Sequence, residues 1–173
     1  MIQFLQIALL SVFPAMVIVA GLRDVTSYTI PNWISFGTFV AFFPTALALG
    51  LPLQTVGLNV GIGVIALVLG VIMFGLGWIG GGDAKLFAAA GFWLGFPSFI
   101  TFTAVTAVAG GLLAVGLLGM RSLWVRRYVV GGPPWFERLT THGENVPYGV
   151  AIAAGALFAY PSSALMQAFT SGL

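Results

Sequence analysis

Five stretches of this chain, Ile2 to Gly21, Asn32 to Gly50, Thr55 to Trp78, Ser98 to Gly119 and Pro147 to Phe169, are apolar almost throughout. Each is long enough to cross about 30 Å of hydrocarbon as a helix. A backbone in lipid has to satisfy its own N–H and C=O groups, and long continuous apolar runs do so by coiling into helices. A sixth candidate, Ala84 to Phe96, would reach only about 20 Å at 1.5 Å per residue, which suits either a short crossing or a re-entrant dip. Composition agrees with a lipid-facing surface: 60% of residues are hydrophobic and 6% charged, against roughly 25% charged in a soluble domain.

The few charges separate the topologies. With six crossings, Arg23, Lys85 and the stretch from Arg121 to Arg138 all fall on one side; a dip would put the last group opposite the first. The excess of Lys and Arg in cytoplasmic loops therefore favours six transmembrane helices with both termini outside. On that topology every charged residue and His142 face the cytoplasm, while the outer connections "GLPLQT" and "GFPSF" carry no charge. The expected fold is an all-α integral membrane bundle, a single domain over residues 1–173. The start of the chain has no basic residue ahead of its apolar run, so it reads as a retained first helix. A net charge of +2 argues against nucleic acid as a partner, and the absence of cysteine excludes disulfides and a CxxC zinc module.

Small residues four apart allow helices to approach closely in lipid. Gly57 with Gly61, Gly149 with Ala153, and the series Ala151, Gly155, Ala159 have this spacing. The one long connection, "MRSLWVRRYVVGGPPWFERLTTHGEN", interleaves Trp124, Tyr128 and Trp135 with Arg121, Arg126, Arg127 and Arg138, as suits a segment lying on an anionic leaflet or an ordinary interfacial belt. Pro133 and Pro134 are expected to stop any helix there.

Two aspartates stand out. Asp24 follows the first helix in "GLRDVTSYTIPNW" and Asp83 follows the third in "WIGGGDAKLFAAAG", on the same expected membrane face. Ionisable groups in such a setting point to function. Like charges a few ångströms apart cannot both ionise comfortably, so a pair shares one proton. One carboxylate can then take a proton from water while its protonated partner polarises a scissile carbonyl. This chemistry requires no metal or cofactor. Gly80, Gly81 and Gly82 allow unusual backbone conformations and close approach of an extended peptide. The same residues also suit structural roles: Asp83 as N-cap of a helix beginning at Ala84, and Asp24 in a helix-end ion pair with Arg23 or Lys85.

The segments "RDVTSYTIPNW" and "GGGDAKLFAAAG", the latter fitting a G-x-G-D pattern through Gly80, Gly82 and Asp83, resemble the prepilin peptidases, especially the small single-domain CpaA/TadV type. "VPYGVAIAAG" at 146–155 is similar to that family's last-helix signature. The resemblance implies an intramembrane aspartic endopeptidase of the bacterial inner membrane, with termini in the periplasm. It would remove basic leader peptides from type IV (Flp/Tad-type) prepilins or pseudopilins, cutting after a glycine at the cytoplasmic face, for pilus assembly or secretion. The catalytic pair falls on Asp24 and Asp83. Larger members carry an added cytoplasmic domain with paired CxxC motifs and also N-methylate the product; this sequence has no cysteine, so cleavage without methylation and without zinc is expected.

Around the pair, Lys85 matches the family's "GDxKL" pattern and could hold Asp83 ionised or contact substrate; a snorkelling interfacial lysine is the plainer reading. Tyr148 and Gly149 open the last helix on the face of the pair, where the hydroxyl could reach a carboxylate or substrate. Pro31 and Asn32 set the entry of the second helix. His142 and Glu144 fall short of the three protein ligands usual in a zinc enzyme. Other functions would use the same features: a small transporter or channel with paired acids, or a non-catalytic scaffold for pilus assembly. A presenilin-like G-x-G-D enzyme is disfavoured because no Tyr-Asp pair is present.

Overall fold

The computed structural model describes residues 2–122 and 133–172. Among these residues the chain is entirely helical, with no strand. In chain order the helices are α1 (Ile2–Ser27), α2 (Asn32–Ala48), α3 (Leu53–Gly75), α4 (Gly81–Leu94), α5 (Ser98–Met120), the short α6 (Pro134–Leu139), α7 (Tyr148–Ala159), a 3-10 turn (Tyr160–Ser162) and α8 (Ala164–Ser171). Four segments are long and apolar enough to cross a membrane: α1, α3, α5 and the stretch Tyr148–Ser171; α2 is apolar but shorter. Their outward faces are those of a membrane protein, with large apolar residues such as Leu53, Val68, Leu112 and Val115 exposed.

Helix α4 sits in the middle. Asp83, Ala84 and every residue from Leu86 to Leu94 are buried, packed against α3, α2 and α7 with smaller contacts to α5 and α1. Because its neighbours enclose it, α4 has no lipid-exposed length to match, which accounts for a helix of only 14 residues among longer ones. The close approach of α3 to α4 depends on Gly63, where an added Cβ would run into the Phe92 ring, and on Gly70, where it would lie 3.0–3.1 Å from Ala84. Gly57 and Gly61, expected to serve this purpose, have nothing within 4 Å of an added Cβ. They lie on the open side of α3, since the four-residue spacing marks a face without saying what covers it. The other expected pairs do pack: Gly21 meets Ala153, Gly149 meets Asp24 and Ile30, and Gly155 meets Phe102 and Thr106.

The end of the bundle remote from the two aspartates is knit by aromatic rings and by polar groups that have no water to turn to. Phe13 stacks on the fully buried Trp93 with centroids 5.1 Å apart, and Tyr160 packs on Phe13 at 4.9 Å. Trp93 Nε1 donates to the Thr38 carbonyl at 2.7 Å. Tyr160 donates its hydroxyl to the Leu10 carbonyl at 2.8 Å. That acceptor is free for a covalent reason: the intrahelical partner of Leu10 would be the N–H of residue 14, and Pro14 has none. In lipid such interhelical bonds hold helices together where the hydrophobic effect cannot distinguish protein from solvent.

Two further expectations need correction. The last apolar stretch is not one helix: Pro161 has no N–H to continue the ladder, so α7 tightens into a 3-10 turn, and α8 restarts with the Ser163 hydroxyl accepting from the Met166 N–H. Pro133 and Pro134 do not abolish helix either. Pro134 is the first residue of α6, where a missing N–H costs nothing. Of the long connection, Trp124, Arg126, Arg127 and Tyr128 lie outside the described residues.

Candidate active site

Asp24 occupies the last turn of α1, which runs on to Ser27. Tyr28 then turns the chain: its φ is +54°, and its N–H bonds back to the Asp24 carbonyl at 2.8 Å. Ile30 is buried beneath this turn, and Pro31 caps the start of α2. The Asp24 side chain is buried, and its Oδ2 accepts a hydrogen bond from the Gly149 N–H at 2.7 Å. Gly149 is the second residue of α7, so its N–H has no partner within that helix and lies at its positive end. A carboxylate from α1 thus satisfies a first-turn amide of a helix 125 residues away.

Asp83 is held in a comparable way by its own turn. Helix α4 begins at Gly81, so Asp83 is its third residue and not the N-cap ahead of Ala84. Its Oδ2 accepts from the N–H of Gly80, the actual N-cap residue, at 3.0 Å, which leaves Oδ1 buried without a hydrogen-bond partner among the described residues. Each acid therefore has one oxygen fixed by a glycine amide. Both line two adjoining cavities. One, of about 190 Å³, also includes Tyr28, Trp78, Asn145 and Tyr148; the other, of about 250 Å³, includes Ile30 and Gly80 to Gly82. A water or a peptide carbonyl placed there would face two carboxyl groups at once, the arrangement that proton exchange between paired acids requires.

The glycines around the acids serve space more than backbone freedom. Among the glycines that line the two cavities, only Gly77 (φ +73°) is left-handed. A Cβ at Gly80 would lie 3.0 Å from Asp83 Oδ2, one at Gly82 3.0 Å from the Ile30 Cβ, and one at Gly149 2.9 Å from Asp24 Oδ2. Gly81 is less constrained, with the Phe74 ring at 3.5 Å. Donor amides can come this near to the carboxyls because no side chain stands beside them.

Of the other residues singled out from sequence, Tyr148 lines the smaller cavity and its ring rests against Gly110. Lys85 points away from both cavities. Residues two apart on a helix face different directions, and Lys85 Nζ donates instead to Asn32 Oδ1 at 2.8 Å, tying α4 to the start of α2. Tyr28 has no role in the sequence reading, and Arg121 figures there only in a stretch expected on an anionic leaflet or interfacial belt, whereas it is buried. Tyr28 lines both cavities with its hydroxyl buried and, among the described residues, without a hydrogen bond of good geometry, although the Arg121 guanidinium lies beside it; the Arg138 guanidinium lies 5.1 Å from the centre of its ring. Burial pushes the Tyr28 phenol above its ordinary value, against the opposing pull of Arg121. Arg121 is buried and donates to three backbone carbonyls, Leu139 (2.9 Å), Glu144 (2.8 Å) and Asn145 (2.9 Å), thereby fixing the segment that brings Asn145 and Val146 to the smaller cavity. The only sequence signal for Tyr28 was its place between Asp24 and Pro31; for Arg121 there was none beyond its charge.

Residues 11–115, well over half of the chain, match the model of the type IV leader peptidase family. No curated protein and no solved structure matches the chain. The matched region contains both aspartates and ends before Gly149.

Proposed function

The chain belongs to the type IV leader peptidase family, and on that footing we propose that Asp24 and Asp83 are the catalytic pair of an intramembrane aspartic endopeptidase. The family makes it a membrane-embedded peptidase acting on prepilins. The observation that carries the residue assignment is that both acids line the same cavities, each with one oxygen engaged by a glycine N–H.

In this reading the two carboxyls share one proton. The ionised acid removes a proton from a water in the cavity. As that water attacks the scissile carbonyl, the protonated acid donates to the developing oxyanion, and the proton returns through the pair to the leaving amine. Tyr148 and the Gly80 to Gly82 turn border the bound peptide, while Gly149 fixes Asp24. Lys85 supports the site at one remove, by anchoring α4 to Asn32. The substrate is a basic leader joined to an apolar helix, cut after a glycine. The finer assignment is to the small CpaA/TadV type acting on Flp/Tad-type prepilins in the bacterial inner membrane. It has six crossings, formed by α1 to α5 and the α7–α8 segment, with the acids at the cytoplasmic face and both termini in the periplasm. The positive-inside asymmetry supports that orientation. The chemistry is proteolysis alone, without N-methylation.

The test is cleavage of a prepilin-like peptide in detergent or lipid by wild type, Asp24→Asn and Asp83→Asn, with the new terminus sequenced. Asn keeps an acceptor for the glycine amide and cannot exchange the proton, so both variants are expected to fold and to lose at least about 10²-fold in rate. Cleavage that survives either substitution would make that aspartate structural.

A further inference from the structure

A third cavity, larger than the two at the acids, opens on the other side of α4. It is a trough of about 440 Å³ between α2, α3 and α4, lined along most of its length by apolar side chains including Phe39, Leu67 and Phe92. Phe39 and Phe92 meet edge to face in it with centroids 4.8 Å apart. Its polar lining is confined to Asn32, Ser35 and Lys85. From Lys85 to Phe92 is two turns of α4, so the trough runs about 10 Å from its polar end into the bundle.

That end is made of hydrogen-bond donors. Lys85 Nζ gives one bond to Asn32 Oδ1 and keeps two protons free, and the Asn32 amide nitrogen has two of its own. The Ser35 residue is buried, 6% exposed, and its hydroxyl has no partner among the described residues. A buried hydroxyl is rarely left unpaired, and here it lines the same cavity as a cation, with no carboxylate in the lining. We propose that this trough is a binding site for an anionic glycerophospholipid. Its phosphate takes the Ser35, Asn32 and Lys85 donors, and one acyl chain lies along the α2–α4 seam over Phe39 and Phe92.

The chemistry selects this occupant over the apolar helix of a substrate. A substrate helix offers the Ser35 hydroxyl only carbonyls already engaged in its own ladder, and the basic leader attached to it would meet Lys85 with like charge. A zwitterionic lipid brings an ammonium to the same lysine. An anionic headgroup answers both the cation and the orphaned donor, as expected of a basic pocket between transmembrane helices.

The experiment measures lipid carried by the purified full chain in native mass spectrometry, comparing phosphatidylglycerol with phosphatidylcholine of the same acyl chains. It reads binding directly and does not depend on proteolysis. Wild type is expected to retain one phosphatidylglycerol after phosphatidylcholine has been stripped. Lys85→Gln should lower that retention about fivefold, the effect of one basic residue at an anionic surface. Ser35→Ala, which removes only an unpaired hydroxyl and should fold normally, should lower it as well, while Asp83→Asn should leave it intact. Equal retention of the two lipids, or retention of phosphatidylglycerol unchanged by Ser35→Ala, would overturn the proposal. A photo-reactive residue at position 39 that labels a prepilin-like peptide and not lipid would also overturn it.

Discussion

Gly149→Ala isolates the contact on which the position of Asp24 depends. The substitution leaves the backbone N–H in place, so the hydrogen bond to Asp24 Oδ2 is chemically preserved and only a methyl group is added. That methyl would lie 2.8 Å from the Asp24 Cβ, 2.9 Å from its Oδ2 and 3.0 Å from the Ile30 Cδ1. Carbon atoms pack comfortably at about 3.5 Å or more, so α7 and the end of α1 have to separate by roughly 0.7 Å. Overpacking of this kind costs about 1–3 kcal/mol, and a displacement near 1 Å at a reacting group costs about 10²-fold in rate. The expected outcome is a lower melting temperature together with a loss of leader cleavage of that order. Gly57→Ala is the control: nothing lies within 4 Å, and in a helix interior alanine is favoured over glycine by about 1 kcal/mol. It should cleave as wild type and melt no lower. Thermal melting in detergent and single-turnover cleavage of a labelled peptide give both readouts. If Gly149→Ala cleaved at the wild-type rate, the close seat of Asp24 on α7 would have no part in catalysis.

Tyr28→Phe removes a buried hydroxyl without a well-formed hydrogen bond among the described residues, so stability should change by no more than about 1 kcal/mol while peptide cleavage falls; melting and kcat/KM measured together separate the two effects. Arg121→Met strips three carbonyls of a charged donor and should cost about 2–4 kcal/mol, with faster amide exchange across residues 139–145 seen by hydrogen–deuterium exchange. Tyr160→Phe leaves the Leu10 carbonyl without a donor at Pro14 and should lower stability by about 1 kcal/mol with little change in cleavage, since the lost bond lies far from both acids.

The two aspartates were legible because a chain with 6% charged residues makes every carboxylate conspicuous, and burial of both in shared cavities is consistent with that reading. The long helices were legible for the same reason, since apolar length is itself the signal. Partnership was harder to read. Gly57 and Gly61 have the four-residue spacing of a helix seam, and so do Ala66 and Gly70; only the second pair, with Gly63 a turn before it, receives α4, because what meets a small residue is a property of the neighbouring helix. Lys85 shares a motif with Asp83 but faces another direction, a consequence of helical geometry that the motif conceals. Pro133 and Pro134 read as breakers, although at the first position of a helix proline is at home. Tyr28 and Arg121 were obscured because interfacial aromatics and arginines are common, and only three-dimensional neighbours separate one with a task from the rest.

The bond from Gly149 to Asp24 has a consequence for biosynthesis. A ribosome delivers Asp24 and then Asp83 well before residue 149, and the amide that holds Asp24 arrives only when α7 has been made and inserted. Throughout that interval the nascent chain carries both acids with one of them unanchored. The pair therefore takes up its final arrangement only after α7 has joined the bundle, and a chain stalled after α5 would hold Asp24 and Asp83 without the amide that seats the first of them.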